Sequence, residues 1–238
     1  MSLKLGFSVV DAAKAAERKD AIIIVDVLRC SSNIISLLAK GAKEIFIAKS
    51  LKEARRLHKE LKNSILVGER GGVKPKGFHF GNSPLEFTEE DVKERRVILT
   101  TTSGAKAIYA SKNSDLVFIG AFLNAKFISK AVFEKAEGRD ISLIASGKKG
   151  EFSLEDFLCC GAIASELISL GINEADDGVK AAVLAWREAS KNLKEAIKEG
   201  NHAKYLTEKG FERDIDFCIF LNALDIIPIY KNGVVYKL

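Results

Sequence analysis

The apolar positions change period repeatedly through the first half of the chain. Short β-branched runs at Ile22 to Val27, Ile45 to Ala48, Ile65 to Val67, Val97 to Thr100, Leu116 to Ile119 and Ile141 to Ala145 are separated by stretches such as Ile34 to Ala39 and Leu51 to Leu61, where apolar residues recur at helical spacing. That alternation predicts strands and helices in turn, the pattern of a sheet with largely parallel neighbours. From Ser153 to about Phe220 nearly everything reads as helix, broken at Gly171, Gly200 and Gly210. The tail, Ile226 to Tyr230 and Val234 to Lys237 around Asn232-Gly233, reads as a hairpin, because Asn-Gly suits a tight type I′ turn. The expected fold class is α/β, layered α/β/α, with a mainly parallel or mixed sheet and a helix-rich C-terminal part. No low-complexity linker divides the 238 residues, so one compact unit over residues 1–238 is expected, with a helical lobe at about 153–220 as the alternative.

Composition narrows the class. The longest apolar runs, such as Ala21 to Val25, fall far short of the roughly 20 residues a bilayer span needs, and the N-terminus lacks a signal-peptide pattern. A soluble, cytoplasmic protein with no membrane partner is expected. The cysteines Cys30, Cys159, Cys160 and Cys218 form no CxxC or Cys/His zinc pattern. The net charge of +5 is spread among acids on helical faces, so nucleic acid is not an expected partner. The sequence leaves the oligomeric state open, a homo-oligomer included.

Three predicted strands run into small polar residues before a helix: Asp26 through Asn33, Thr100 through Lys106, and Ser146 through Gly150. The C-terminal crest of an α/β sheet is where ligands bind. Backbone N–H groups there, with the hydroxyls of Ser31, Ser32, Thr101, Thr102 and Ser103 and with Lys148, can surround phosphate oxygens. The competing reading is that Ser and Thr only cap helices. The second feature is the glycine-rich loop from Gly68 to Pro84, in which Glu69 and Arg70 follow a strand and Asn82-Ser83 close the loop; long loops in compact domains tend to carry function. Asp26 ends an apolar strand, where a buried carboxylate needs a cation or several donors. Mg²⁺ suits it, since that ion takes one or two carboxylates and completes its shell with water and substrate phosphate. Glu155 and Asp156 are further acids, although acids in a first helical turn need no ligand. Among the histidines, His79 is the candidate site member and His202 reads as structural.

Taken together in chain order, these segments resemble the 2-phosphosulfolactate phosphatase family. The resemblance is carried by Val25-Asp26-Val27-Leu28-Arg29, Gly68-Glu69-Arg70-Gly71-Gly72, Gly81 through Phe87, Leu99 through Gly104, Phe122 through Ala125 and Gly150 through Cys159. The tail around His202, Asp214, Asp216, Cys218 and Ile227 to Tyr230 also fits. The chain departs from the family where Cys30-Ser31-Ser32 replaces Ala and threonines, where Ser103 replaces Asn, and where Lys148-Lys149 stands for an arginine-containing turn. The resemblance implies a Mg²⁺-dependent hydrolase of a small anionic phosphate ester, 2-phospho-3-sulfolactate, on the route to coenzyme M. It implies catalytic roles for Asp26, Arg29, Glu69 and Arg70; substrate contacts from Ser31, Ser32, Asn82, Ser83, Thr101, Thr102, Ser103 and Lys148; and metal binding by Asp26, Glu69 and Asp156. Lys74, Lys106 and Lys149 are additional candidate cations. Another phosphorylated acid as substrate, or noncatalytic binding of such a metabolite, are the competing functions.

Overall fold

The computed structural model describes residues 1–148 and 150–238; Lys149, named above as a candidate cation, lies outside the described residues. The chain begins with β1 (Ser2–Gly6), α1 (Val9–Glu17), β2 (Ala21–Val25), α2 (Cys30–Ala39), β3 (Glu44–Ile47), α3 (Leu51–Glu60) and β4 (Ser64–Gly68). A long loop containing the one-turn helix α4 (Glu89–Val92) leads to β5 (Arg96–Thr100), α5 (Gly104–Ala110), β6 (Val117–Gly120), α6 (Ala125–Lys135) and β7 (Ile141–Ala145). Next come α7 (Leu154–Ser169), β8 (Glu174–Ala175), α8 (Asp177–Ala189), α9 (Leu193–Lys198), α10 (Asn201–Glu208) and α11 (Glu212–Cys218). The hairpin of β9 (Pro228–Lys231) and β10 (Val234–Lys237) closes the chain. The pattern reading lacks β1, α1 and β8, because Ser2–Gly6 alternates weakly, α1 is mostly alanine on its buried face, and β8 has two residues.

Among the described residues ten strands form one mainly parallel sheet in the order β4-β5-β3-β10-β9-β6-β2-β7-β1-β8. The hairpin sits between two parallel blocks, and three successive antiparallel pairings, β3 with β10, β10 with β9 and β9 with β6, reverse the direction. The β4-β5-β3 block therefore runs opposite to the β6-β2-β7-β1-β8 block. In a flat sheet the C-terminal ends of β5 and β2 would lie on opposite edges and, five strands apart, about 24 Å from each other. Instead a side chain at Gly104, just after β5, would lie 2.6 Å from the carboxylate of Asp26, just after β2. The sheet is curled so that both blocks end at one place.

Helix α2 fills the hollow of that curl. Every residue from Cys30 to Leu38 is buried, as expected of a helix surrounded by protein. Its polar side chains are paired inside: Ser32 donates to the Val27 carbonyl (2.8 Å), Ser36 to the Pro84 carbonyl (3.0 Å) and Asn33 to Asn82 (2.8 Å). Strand β2 shows why a continuous Ile run belongs here. Ile22 and Ile24 pack with α1, α2 and α5, whereas Ile23 and Val25 pack with α6 and α7. Helix α3 covers the outer face of β3, β4 and β5 through Ala54, Leu57, Leu66 and Ile98. Among the described residues no helix is long and apolar enough to cross a membrane.

Candidate active site

The ends of the two blocks enclose a cavity of about 160 Å³. This lies below the roughly 300 Å³ at which pockets for drug-sized ligands begin, so the cavity suits a small metabolite. Asp26, Leu28 and Arg29 come from the β2–α2 turn, Glu69, Gly71, Gly72 and Asn82 from the glycine-rich loop, and Thr101, Thr102 and Ser103 from the β5–α5 turn. Gly147 and Lys148 follow β7, and His202, Tyr205 and Leu206 of α10 complete the wall.

Asp26 is the central group. Its Oδ1 accepts the Cys30 backbone N–H (3.0 Å), and its backbone N–H donates to Ser31 Oγ (3.0 Å). Its Oδ2 accepts no hydrogen bond among the described residues. Burial pushes the carboxyl up to about 6, opposed by the Cys30 N–H and by His202, and reinforced by Glu69 and Glu155. Gly104 is required beside it, because a Cβ there would also lie 2.7 Å from the Cys30 sulfur.

The other acids have structural work. Glu69 Oε1 accepts the Thr102 N–H (2.6 Å) and Oε2 the Gly72 N–H (2.8 Å), tying the glycine-rich loop to the β5–α5 turn. Asp156 Oδ1 accepts the Val27 N–H (2.8 Å) and Oδ2 the Gly147 N–H (3.0 Å), tying the turns after β2 and β7 together. Burial, then the neighbouring Asp26 and Glu155, push the Asp156 carboxyl well above the usual range.

Arg29 is 3% exposed and donates to Asp214 Oδ2 (2.7 Å) and to the Gly72 carbonyl (3.0 Å), with Phe211 stacked 4.2 Å away. Arg70 faces away from the cavity, donating to its neighbour's carbonyl at Glu69 (2.6 Å) and to Thr100 Oγ1 (2.9 Å). Successive side chains of an extended segment point to opposite sides, so Glu69 and Arg70 could not both face the ligand. Ser31 and Ser32 turn inward onto backbone groups, and Ser83 donates to Asp214 (2.7 Å) in an adjoining cleft. Thr101 Oγ1 accepts the Ala105 N–H (3.0 Å), whereas Thr102 Oγ1 is buried without a partner among the described residues. Lys148 lies over the Tyr205 ring at 3.7 Å, and Tyr205 donates to the Gly71 carbonyl (2.7 Å), closing one side of the cavity. Gly72 admits that closure, since it has a positive φ of 78° and a Cβ would press on the Tyr205 ring at 3.3 Å.

Lys74 pairs with Glu86, Lys106 is exposed, and His79 folds back to accept the Leu66 N–H; none of the three lines the cavity. The feature that sequence reasoning missed is His202, whose Nδ1 lies 2.8 Å from Oε1 of the buried Glu155. Forty-seven positions separate the two, and their one sequence signal is that both fall in segments matching the family.

Among the described residues no three His, Cys, Asp or Glu side chains come together as a metal cage. Asp26 Oδ2 accepts no hydrogen bond among the described residues, while each oxygen of Glu69 and Asp156 accepts one backbone N–H and keeps a second lone pair. The donor set fits a hard divalent ion held by one carboxylate, water and the ligand's own oxygens.

The family model described as 2-phosphosulpholactate phosphatase matches residues 7–233. Curated relatives named "Probable 2-phosphosulfolactate phosphatase" include one from Clostridium beijerinckii, 34% identical over 98% of both chains, and one from Caldanaerobacter subterraneus subsp. tengcongensis, 35% identical over 90% of this chain and 89% of its own. Another, from Clostridium novyi, is 31% identical over the full length of both. The chain belongs to the 2-phosphosulfolactate phosphatase family, a family of phosphoric monoester hydrolases.

Proposed function

We propose that this protein is a cytoplasmic, Mg²⁺-dependent phosphatase that hydrolyses 2-phospho-3-sulfolactate to 3-sulfolactate and phosphate, a step towards coenzyme M. The observation that carries the reading is a pair of oxygens on cavity-lining residues, Asp26 Oδ2 and Thr102 Oγ1, that have no hydrogen-bond partner among the described residues. A buried carboxylate left open calls for a cation, and a buried hydroxyl left open calls for an acceptor such as a phosphate oxygen.

The bound Mg²⁺ would polarise the phosphoryl group and offset its charge. Asp26 would hold it and accept a proton from the attacking water. Thr102 and Ser103 orient the phosphate, and Lys148 faces its charge. Arg29, whose charge is shared with Asp214, holds the acidic end of the substrate at Gly72 by a fixed guanidinium. Glu69 and Asp156 keep the turns in register, so their contribution is geometric. Direct attack by water is favoured over an aspartyl-phosphate, because Leu28 occupies the place where a phospho-aspartate site would carry its second acid.

The test is phosphate release from racemic 2-phosphosulfolactate, with phosphoglycolate and phospholactate alongside, in Mg²⁺ and in EDTA. Metal-dependent release favouring the sulfonate and lost in Asp26→Asn supports the reading. Release favouring another ester reassigns the substrate, and no release from any ester leaves a binding protein.

A further inference from the structure

The cavity holds a second proton-carrying group besides Asp26. His202 stands on its wall from the first turn of α10, and its Nδ1 is fixed by Glu155 at 2.8 Å. Glu155 is 1% exposed and lies in the first turn of α7, with Gly200 close behind its other oxygen at 3.5 Å from an added Cβ. A carboxylate on Nδ1 orients the ring and leaves Nε2 as the edge that can face a ligand. Nε2 has no partner among the described residues. The other charged groups lining the cavity with the ring are Asp26, Glu69, Arg29 and Lys148.

The demand for a proton is on the leaving side. Phosphoryl transfer places charge on the departing oxygen early, and the alkoxide of a hydroxy acid is a poor leaving group. Resting on the phosphatase reading, we propose that His202 is the general acid of the reaction and that Glu155 is its positioning residue. Water oxygen bonds to phosphorus as the ester P–O bond breaks with its electron pair on the departing oxygen. That oxygen takes the Nε2 proton and leaves as an alcohol. Asp26 takes the water's proton, and solvent restores both groups.

The experiment compares wild type, His202→Asn and Glu155→Gln on 2-phosphosulfolactate and on two esters with better leaving groups, p-nitrophenyl phosphate and 2-phospho-3,3,3-trifluorolactate. For His202→Asn, kcat on the sulfolactate ester should fall roughly 10²- to 10⁴-fold, and on the activated esters by less than about tenfold, with far-UV dichroism and inhibition by inorganic phosphate unchanged. Glu155→Gln should show the same discrimination with a smaller loss. Equal losses on every ester, or none on the sulfolactate ester, would overturn the assignment while wild-type turnover kept the phosphatase reading intact. A wild type that released phosphate from none of them would overturn both.

Discussion

Strand β2 carries a buried aspartate just beyond each end, and the protein treats the two differently. Asp20, 3% exposed, accepts from Arg18 at 3.0 and 2.7 Å and from Ser142 at 2.7 Å, with Lys4 at 3.6 Å. Asp26, 7% exposed, has one backbone N–H and no ion pair among the described residues. The same residue type at the same depth is compensated at one end and left open at the other. A buried carboxylate that the fold completes is structural, and one it leaves incomplete is a candidate for a ligand.

The comparison breaks most sharply on activity. Asp26→Asn should lower phosphate release roughly 10²- to 10⁴-fold, whereas Asp20→Asn should leave turnover by the folded protein unchanged; assays on both variants at matched folded concentration decide it. Arg29→Ala asks whether Asp214 belongs with Asp20. Its removal leaves an unpaired buried carboxylate, so urea unfolding should show a loss of about 3–5 kcal/mol, and a smaller loss would place Asp214 with Asp26.

The third difference is in pH. The folded carboxyl of Asp26 is raised to about 6 from 3.8, so between those values the native state binds more protons than the unfolded chain and stability falls as pH rises. In metal-free protein Asp26→Asn should therefore be more stable than wild type above about pH 6, by about 2–3 kcal/mol, with the gain gone below pH 4. Denaturation at pH 4 and pH 7.5 in EDTA measures this. Asp20→Asn should do the reverse at neutral pH, costing about 1–3 kcal/mol.

Much of this was legible along the chain. The β-branched runs of β2, β3, β5 and β7 and the Asn232-Gly233 turn announce themselves, because backbone period and turn chemistry are local. Asp26 was legible because an acid closing an all-apolar strand has few bland explanations. Arg70 read as a site cation since nothing local says which of two adjacent side chains turns inward. Ser31 and Ser32 read as phosphate ligands since a helix start normally meets solvent, and the burial of α2 reverses that.

The alternation of strands and helices was legible because it depends on residues near one another in the chain, and the family because each of its motifs is a short local run. The tertiary structure alone decided that the blocks run in opposite directions, that the sheet curls round α2 to join their ends, and that His202 meets Glu155. Those depend on contacts between distant segments, and these are set by how buried surfaces fit together, which no local pattern encodes.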